Sequence, residues 1–147
     1  MLKNIPPILG PDLLGILRAM GHGDEIAIVD ANYPADGAGP VLVRLDGISA
    51  TDVLDAVLTL MPLDDFVDEQ AICMQVVGNA GLREPVMDEF DQIIGKHEPG
   101  MKLSSMERFA FYDRVSKGYA IVQSGERRLY GNILLKKGII RPQAINA

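Results

Sequence analysis

The chain has 147 residues, 48% of them hydrophobic, and a net charge of −6 at neutral pH. This length predicts a single domain over residues 1–147, and the acidic balance argues against a nucleic-acid partner, which needs a basic surface. No segment approaches the ~20 apolar residues of a membrane-spanning helix, so no membrane association is expected. The single cysteine, Cys73, cannot form an intrachain disulfide, which favours a reducing, cytoplasmic compartment.

The first half of the chain alternates helical and extended patterns. A helix is predicted over GPDLLGILRAMG, because Pro11 suits a first helical position and the leucines recur at helical spacing. Short β-branched runs predict strands over EIAIVD and VLVRLDG, with a loop between them. A second helix is predicted over SATDVLDAVLTLMP, where Ser49 and Asp52 resemble a capping box.

The second half continues the alternation. A strand is predicted over AICMQVVG and helices over EPVMDEFDQIIGK and SSMERFAFYDRVSKG, the latter because Ser104 and Glu107 have capping-box spacing. Two more strands are predicted over YAIVQSG and NILLKKG, before a peripheral tail at residues 141–147. This order predicts an α/β fold, a single layered domain with a mainly parallel central sheet flanked by helices.

Two polar residues flank the first predicted strand. His22 lies between two glycines, which allow a ligand or backbone to approach closely, and its ordinary pKa near ~6.5 suits proton transfer. Asp30 ends the strand, where ligands of open α/β sheets gather. For a single histidine in a turn, a capping or surface role is ordinarily the better explanation, and for Asp30 a loop-capping role explains the residue equally well, so both alternatives stay open.

Common cofactor and nucleophile motifs are absent from the sequence. It has no phosphate loop, no GxGxxG after a strand, no GxSxG elbow and no Cys or His pair at metal-ligand spacing. We therefore expect no cofactor and no metal. This leaves acid–base chemistry without a covalent nucleophile.

Further candidate residues lie in the second half. Arg108 and Tyr112 are four residues apart on a predicted helix, so they share a face. Tyr130 and Asn132 come just before the last strand, and both residue types commonly bind sugar hydroxyls. Solvated arginines and a packed tyrosine would account for the same pattern.

Several segments taken together resemble the ribose pyranase and L-fucose mutarotase family: GPDLLGILRAMGHGDE, GHGDEIAIVDANYPA, ERFAFYDR and SGERRLYGNILLKKG. They follow the family's order and spacing, and the resemblance runs from about residue 2 to residue 139. RFAFY and YGNILLKKG are similar to the fucose branch. The ribose branch typically has a histidine where this chain has Arg108, and Tyr-Ala-Asn where it has Tyr130-Gly131-Asn132.

The resemblance implies an isomerase that interconverts the anomers of L-fucose, or of a closely related monosaccharide, by cofactor-free ring opening and closure. It implies that His22 is the proton donor and that Asp30, Arg108 and the segment Tyr130-Gly131-Asn132 hold the sugar. Tyr112 or Tyr130 is the predicted acid–base partner of His22. The resemblance also implies a homodecamer of two stacked five-membered rings, with sites near subunit boundaries.

Three other interpretations fit the same residues: ribose pyranase-type pyranose–furanose interconversion, a non-catalytic monosaccharide-binding or transport accessory protein, and a purely structural ring protein. The spacing of His22 and Asp30 adds a geometric constraint. Eight residues of extended chain span roughly 26 Å, much more than one hexose. Either residues 21–24 fold back, or the two residues reach one sugar from different subunits, which is the hypothesis we favour.

Overall fold

The computed structural model describes residues 1–145 of the chain. The helices of this part are α1 (Pro11–Ala19), α2 (Ala50–Leu60), α3 (Pro85–His97), α4 (Arg108–Ser116) and α5 (Pro142–Ile145). The strands are β1 (Glu25–Val29), β2 (Val41–Leu45), β3 (Ala71–Met74), β4 (Ser104–Met106), β5 (Ala120–Ser124) and β6 (Ile133–Lys136).

The six strands form one mixed sheet in the order β2-β5-β1-β6-β3-β4. Strands β2, β5 and β1 pair in parallel, as do β3 and β4, whereas β6 runs antiparallel to both of its neighbours. The prediction of a mainly parallel sheet within an α/β domain is therefore confirmed. The other five strands run in the same direction, so their carboxyl ends lie side by side along one border of the sheet, where β6 begins. This border is called the carboxyl edge of the sheet.

The central strand β1 is buried on both faces and contributes to two separate cores. Ile26 and Ile28 pack with the residues of α1, α2 and α3, whereas Ala27 and Val29 pack with those of α4. Successive strand residues point to opposite faces, so a strand covered by helices on both sides must be apolar throughout. This explains the uninterrupted apolar run from Ile26 to Val29, directly before Asp30.

The predicted first residues of α1 and α2 are confirmed, whereas α1 ends at Ala19, two residues before the predicted stop at Gly21. Pro11 occupies the first position of α1, where its missing N–H costs nothing. Ser49 caps α2, and its Oγ accepts a hydrogen bond from the N–H of Asp52 at 3.2 Å.

The prediction of a helix over SSMERFAFYDRVSKG is wrong for its first residues. Ser104 begins β4 and pairs with Ile72 of β3, and α4 begins only at Arg108, with the Glu107 carboxylate accepting a hydrogen bond from the Ala110 N–H at 3.0 Å. Pairing along the sheet edge therefore competes successfully with the local capping pattern. The short strand ends at Met106, so Arg108 lies at the carboxyl edge of the sheet.

The tail predicted to be peripheral extends beyond the described part of the chain, because residues 146 and 147 lie outside it. Arg141 and the short helix α5 lie within it. In residues 1–145 no helix is both long and apolar enough to cross a membrane.

Candidate active site

A cleft of about 180 Å³ opens at the carboxyl edge of the sheet. Its walls come from the loop after β1, the first turns of α4 and the segment before β6. They are formed by Asp30, Asn32, Tyr33, Arg108, Tyr112, Leu129, Tyr130 and Asn132. The structure therefore brings together five residues that the sequence singled out, in one place: Asp30, Arg108, Tyr112, Tyr130 and Asn132.

A larger cleft of about 690 Å³ shares the tyrosines 33 and 112 with the first one. Its other walls are the loop at residues 34–38, Arg44, Ser116 and Gln123. Asp30, Arg108 and Asn132 do not line it. The polar groups suited to a sugar are thus concentrated in the smaller cleft, which we take as the candidate site.

Asp30 forms the buried polar end of the cleft and is only 5% exposed. Its N–H donates to Asn132 Oδ1 at 2.8 Å, and its Oδ1 accepts from the Asn32 N–H at 3.0 Å. Burial raises the pKa of Asp30, and the hydrogen bonds from Asn32 and Asn132 oppose that rise. A carboxylate withdrawn from water in this way is a strong acceptor for a ligand hydroxyl.

The segment before β6 is tightly built. Tyr130 has a φ of 63°, in the left-handed region that side chains other than glycine rarely adopt, and its hydroxyl accepts from the Val77 N–H at 3.1 Å. A Cβ on Gly131 would lie 2.7 Å from Glu126 Cγ, so only glycine fits there without displacement. Glu126 is itself buried and paired with Arg128. This packing fixes the backbone that carries the predicted Tyr-Gly-Asn segment.

Arg108 presents an unpaired donor in the described part of the chain. Its Nε is buried and has no hydrogen-bond partner there, while its guanidinium carbon lies 4.5 Å from the ring centroid of Phe109 and 6.0 Å from that of Tyr112. A buried donor without a partner is unfavourable. An acceptor from a ligand in the cleft would satisfy it, and sugar hydroxyls are acceptors of this kind.

The sequence analysis did not identify Tyr33 as a site residue, although it follows Asp30 by only three residues. Its ring is buried and meets that of Tyr112 edge-on at 5.1 Å. Burial, with smaller effects from Tyr112 and Asp30, raises the pKa of Tyr33 far above its ordinary range. Its phenol therefore stays neutral at physiological pH, as a fixed wall of the site. Its position in the loop that follows a strand-ending aspartate was the available signal.

His22 lies before β1, at the opposite end of that strand from Asp30, and does not line the cleft. Residues 21–24 do form a turn, in which the Gly21 N–H donates to Asp24 Oδ2 at 2.8 Å. The turn is attached to the far end of β6, because the Gly23 N–H donates to the Lys137 carbonyl at 2.8 Å. The five residues of β1, about 16 Å of extended chain, therefore separate His22 from Asp30 within one subunit.

A carboxylate that the sequence did not reveal faces His22. His22 Nε2 and Asp64 Oδ1 are 2.9 Å apart, and the Asp64 side chain is only 4% exposed. Burial alone would raise the pKa of Asp64, but the hydrogen bonds from His22 and from the Phe66 N–H hold it below its ordinary value. An imidazole paired with a buried carboxylate has a fixed ring orientation, which is the arrangement that acid–base catalysis requires.

The fold and the cleft define a small α/β protein with a polar site at the carboxyl edge of its sheet. The chain belongs to the RbsD / FucU transport protein family, whose model matches residues 3–140. It is 42% identical to the fucose mutarotase of Danio rerio, over 97% of both chains. It is also 42% identical to the fucose mutarotase of Homo sapiens, over 95% of this chain and 94% of the human one.

A solved structure has the same fold. The fucose mutarotase from Streptococcus pneumoniae, in complex with L-fucose, superposes with a TM-score of 0.88 at 44% identity. The match covers 95% of this chain and all of the other. These comparisons confirm the resemblance noted in the sequence, including its closer similarity to the fucose branch.

Proposed function

We propose that this chain is a fucose mutarotase, an isomerase that interconverts the anomers of L-fucose. One observation carries the proposal. In a chain 42% identical to fucose mutarotases along nearly its whole length, five polar or aromatic residues chosen from the sequence converge on one small cleft. The L-fucose complex of the Streptococcus pneumoniae enzyme supports the choice of sugar.

Mutarotation opens the cyclic hemiacetal and recloses it on the other face of C1. One group removes the proton of the anomeric hydroxyl while another donates a proton to the ring oxygen, so the C1–ring-oxygen bond breaks and an aldehyde forms. Rotation about C1–C2 and reversal of both proton transfers give the other anomer. The reaction is redox-neutral and needs no covalent adduct, and acid–base catalysis of about 100–10,000-fold is sufficient for it.

The residues of the cleft suit the binding half of this reaction. Asp30 would accept hydrogen bonds from sugar hydroxyls, and Arg108 Nε would donate one. The segment Tyr130-Gly131-Asn132 would close the other wall. We assign the role of proton acceptor to Tyr112 in its phenolate form, because the Arg108 guanidinium beside its ring would stabilise that anion before it takes the proton of the anomeric hydroxyl and becomes neutral. Tyr130 remains the alternative.

His22 supplies the proton in this proposal, held in orientation by Asp64. Since His22 and the cleft lie at opposite ends of β1, we propose that His22 serves the sugar bound in a neighbouring subunit. Exposed apolar side chains at both edges support such a contact. They are Phe109 and Leu129 near the cleft, 65% and 66% exposed, and Phe66 beside His22, 63% exposed.

A contact between two different edges of the molecule is head-to-tail, and such contacts generate closed rings when the rotation closes. This geometry agrees with the homodecamer of two stacked pentameric rings that we propose for the chain. Burial of the two apolar edges would drive its assembly. Sedimentation velocity of the purified protein measures the number of subunits directly.

Saturation-transfer NMR on L-fucose tests the function. We expect the wild-type chain to accelerate exchange between the α and β anomers, and His22→Ala to lose that acceleration while still binding the sugar. Binding without faster exchange in the wild type would favour an accessory sugar-binding protein instead. Running D-ribose in parallel identifies pyranase activity by its pyranose–furanose exchange.

We also propose a cytoplasmic location. The one cysteine, Cys73, is unpaired and buried within β3, and burial raises its pKa to about 11, so the thiol is unreactive and makes no demand on an oxidising compartment. Fractionation of cells with an antibody to the native chain checks this location.

A further inference from the structure

Phe66 is a large exposed apolar side chain held beside the proposed proton donor. It is 63% exposed, and its ring centroid lies 5.0 Å from that of His22, with the planes tilted by 53°. An exposed phenyl ring is unfavourable in water. In the assembly proposed above, the edge that carries His22 meets the sugar cleft of a neighbour, so Phe66 would be covered there.

Phe66 is held by one contact to its backbone and one to its ring. The Phe66 N–H donates to Asp64 Oδ1 at 3.0 Å, the same oxygen that contacts His22 Nε2. The guanidinium carbon of Arg141 lies 5.2 Å from the centroid of the phenyl ring, and Arg141 is itself paired with Asp65. One carboxylate therefore orients the His22 imidazole and holds the backbone of Phe66, and the two rings lie side by side, so a sugar that reaches His22 also meets Phe66.

The covalent structure of a hexopyranose indicates which part of the sugar would contact Phe66. The ring oxygen is bonded to C1, which carries the anomeric hydroxyl, and to C5, which carries C6. A donor that protonates the ring oxygen consequently lies near both substituents. A phenyl ring cannot hydrogen-bond the anomeric hydroxyl, but it packs well against a methyl group.

We propose that Phe66, brought with His22 by a neighbouring subunit, packs against the C6 methyl group and selects 6-deoxy sugars over their 6-hydroxy counterparts. This inference rests on the proposed function and adds a specificity-determining residue to it. A hydroxyl at C6 would lose hydration against the phenyl ring without gaining a partner there. The preference therefore arises from the apolar contact and from the uncompensated desolvation of the hydroxyl.

The test compares L-fucose with L-galactose, which differ only by the hydroxyl on C6. We expect Phe66→Ala to lower kcat/KM for L-fucose by about 5-fold and to leave that for L-galactose within about 2-fold, because the lost contact is to one methyl group. Phe66→Leu should fall between. Leu82→Ala, which removes an exposed apolar side chain outside the candidate site, is the control and should leave the ratio unchanged.

Phe66 could instead serve only to seal the interface between subunits. In that case Phe66→Ala would lower kcat/KM equally for both sugars, and the proposal would be wrong. An unchanged ratio with unchanged rates would also refute it. Sedimentation velocity establishes whether each variant still assembles, and the ratio is measured on Phe66→Leu if the alanine variant dissociates. If the wild type accelerates neither sugar, the failure lies in the proposed function and not in Phe66.

Discussion

His22 and Asp64 form an imidazole–carboxylate pair between residues 42 positions apart in the chain, with Nε2 and Oδ1 separated by 2.9 Å. The imidazole is partly exposed, with 42% of the side-chain surface accessible, while the carboxylate is almost fully buried at 4%. The His22 imidazole is therefore accessible to a neighbouring subunit, while the Asp64 carboxylate that orients it is shielded from solvent. This arrangement suits a proton donor that acts outside its own subunit.

Loss of this carboxylate should impair catalysis more than sugar binding. We expect Asp64→Asn to lower kcat by about 100-fold, because acid–base catalysis depends on the orientation and charge state of the ring. The affinity for L-fucose should change little, since the cleft at Asp30 is left intact. Anomer-exchange NMR and a binding titration measure the two effects. Asp68→Asn, an exposed carboxylate of the same segment, is the matched control, and equal rates for both variants would contradict the assignment.

The same substitution should alter the pH dependence of stability. The pKa of Asp64 is lower in the folded chain than in the unfolded one, so its stabilising contribution is present above the unfolded pKa, near ~3.9, and is lost as the pH falls through the folded pKa. The difference in Tm between wild type and Asp64→Asn should be largest near neutral pH and shrink toward acid. A difference that does not change with pH would mean that Asp64 does not carry its charge in this pair.

Asp30 should show a trade-off between binding and stability. Because burial raises the pKa of Asp30, the contribution of this residue to stability is lost as the pH rises through its folded pKa. We therefore expect Asp30→Asn to be more stable than wild type at neutral pH, by a margin that grows from about pH 4 upward. Its affinity for L-fucose should fall about 10–100-fold, the loss of a charged acceptor.

Thermal unfolding between pH 4 and 8 and an NMR titration with L-fucose check the two halves of this prediction. Asp46→Asn, an exposed carboxylate on the surface, serves as the control for the loss of one charge. An Asp30→Asn chain that binds L-fucose as tightly as wild type would remove Asp30 from the sugar site.

Gly131 should tolerate no side chain. The Cβ of Gly131→Ala would lie 2.7 Å from Glu126 Cγ and 3.3 Å from the Arg128 carbonyl oxygen. We expect a loss of about 1–3 kcal/mol in the free energy of unfolding, typical of overpacking, together with weaker sugar binding because Tyr130 and Asn132 shift. Gly81→Ala, where a Cβ would meet nothing within 4 Å, should stay within about 0.5 kcal/mol of wild type. Similar stabilities for both variants would contradict this packing.

The sequence predicted most of the sheet because its strands are apolar runs bounded by turn residues. It failed at β4, since three residues on a sheet edge carry too little pattern to outweigh the capping spacing of Ser104 and Glu107. Their true arrangement depends on the distant Ile72, which local reasoning does not consider.

The site was predicted unevenly for a related physical reason. Asp30 could be singled out in advance because it ends a strand, where ligands gather. Its placement with Asn132 came only from the family resemblance, since Asn132 precedes β6 and lies beside Asp30 because β6 runs antiparallel to β1. Asp64 could not be singled out, since nothing in the segment after α2 relates it to His22 until the sheet brings the end of β6 beside both residues. The spacing argument assumed eight residues of extended chain, whereas only the five residues of β1 are extended, because residues 21–24 form a turn. His22 and Asp30 nevertheless lie beyond opposite ends of β1 in one subunit.

The central claim is that His22 of one subunit completes the Asp30 cleft of another. The most direct measurement is anomer exchange of L-fucose by mixed assemblies of His22→Ala and Asp30→Ala chains, each inactive alone. Random mixing in equal amounts should restore about a quarter of wild-type activity, because one site in four receives both intact residues in a head-to-tail ring. No recovery in assemblies proven to have exchanged subunits would contradict the shared site.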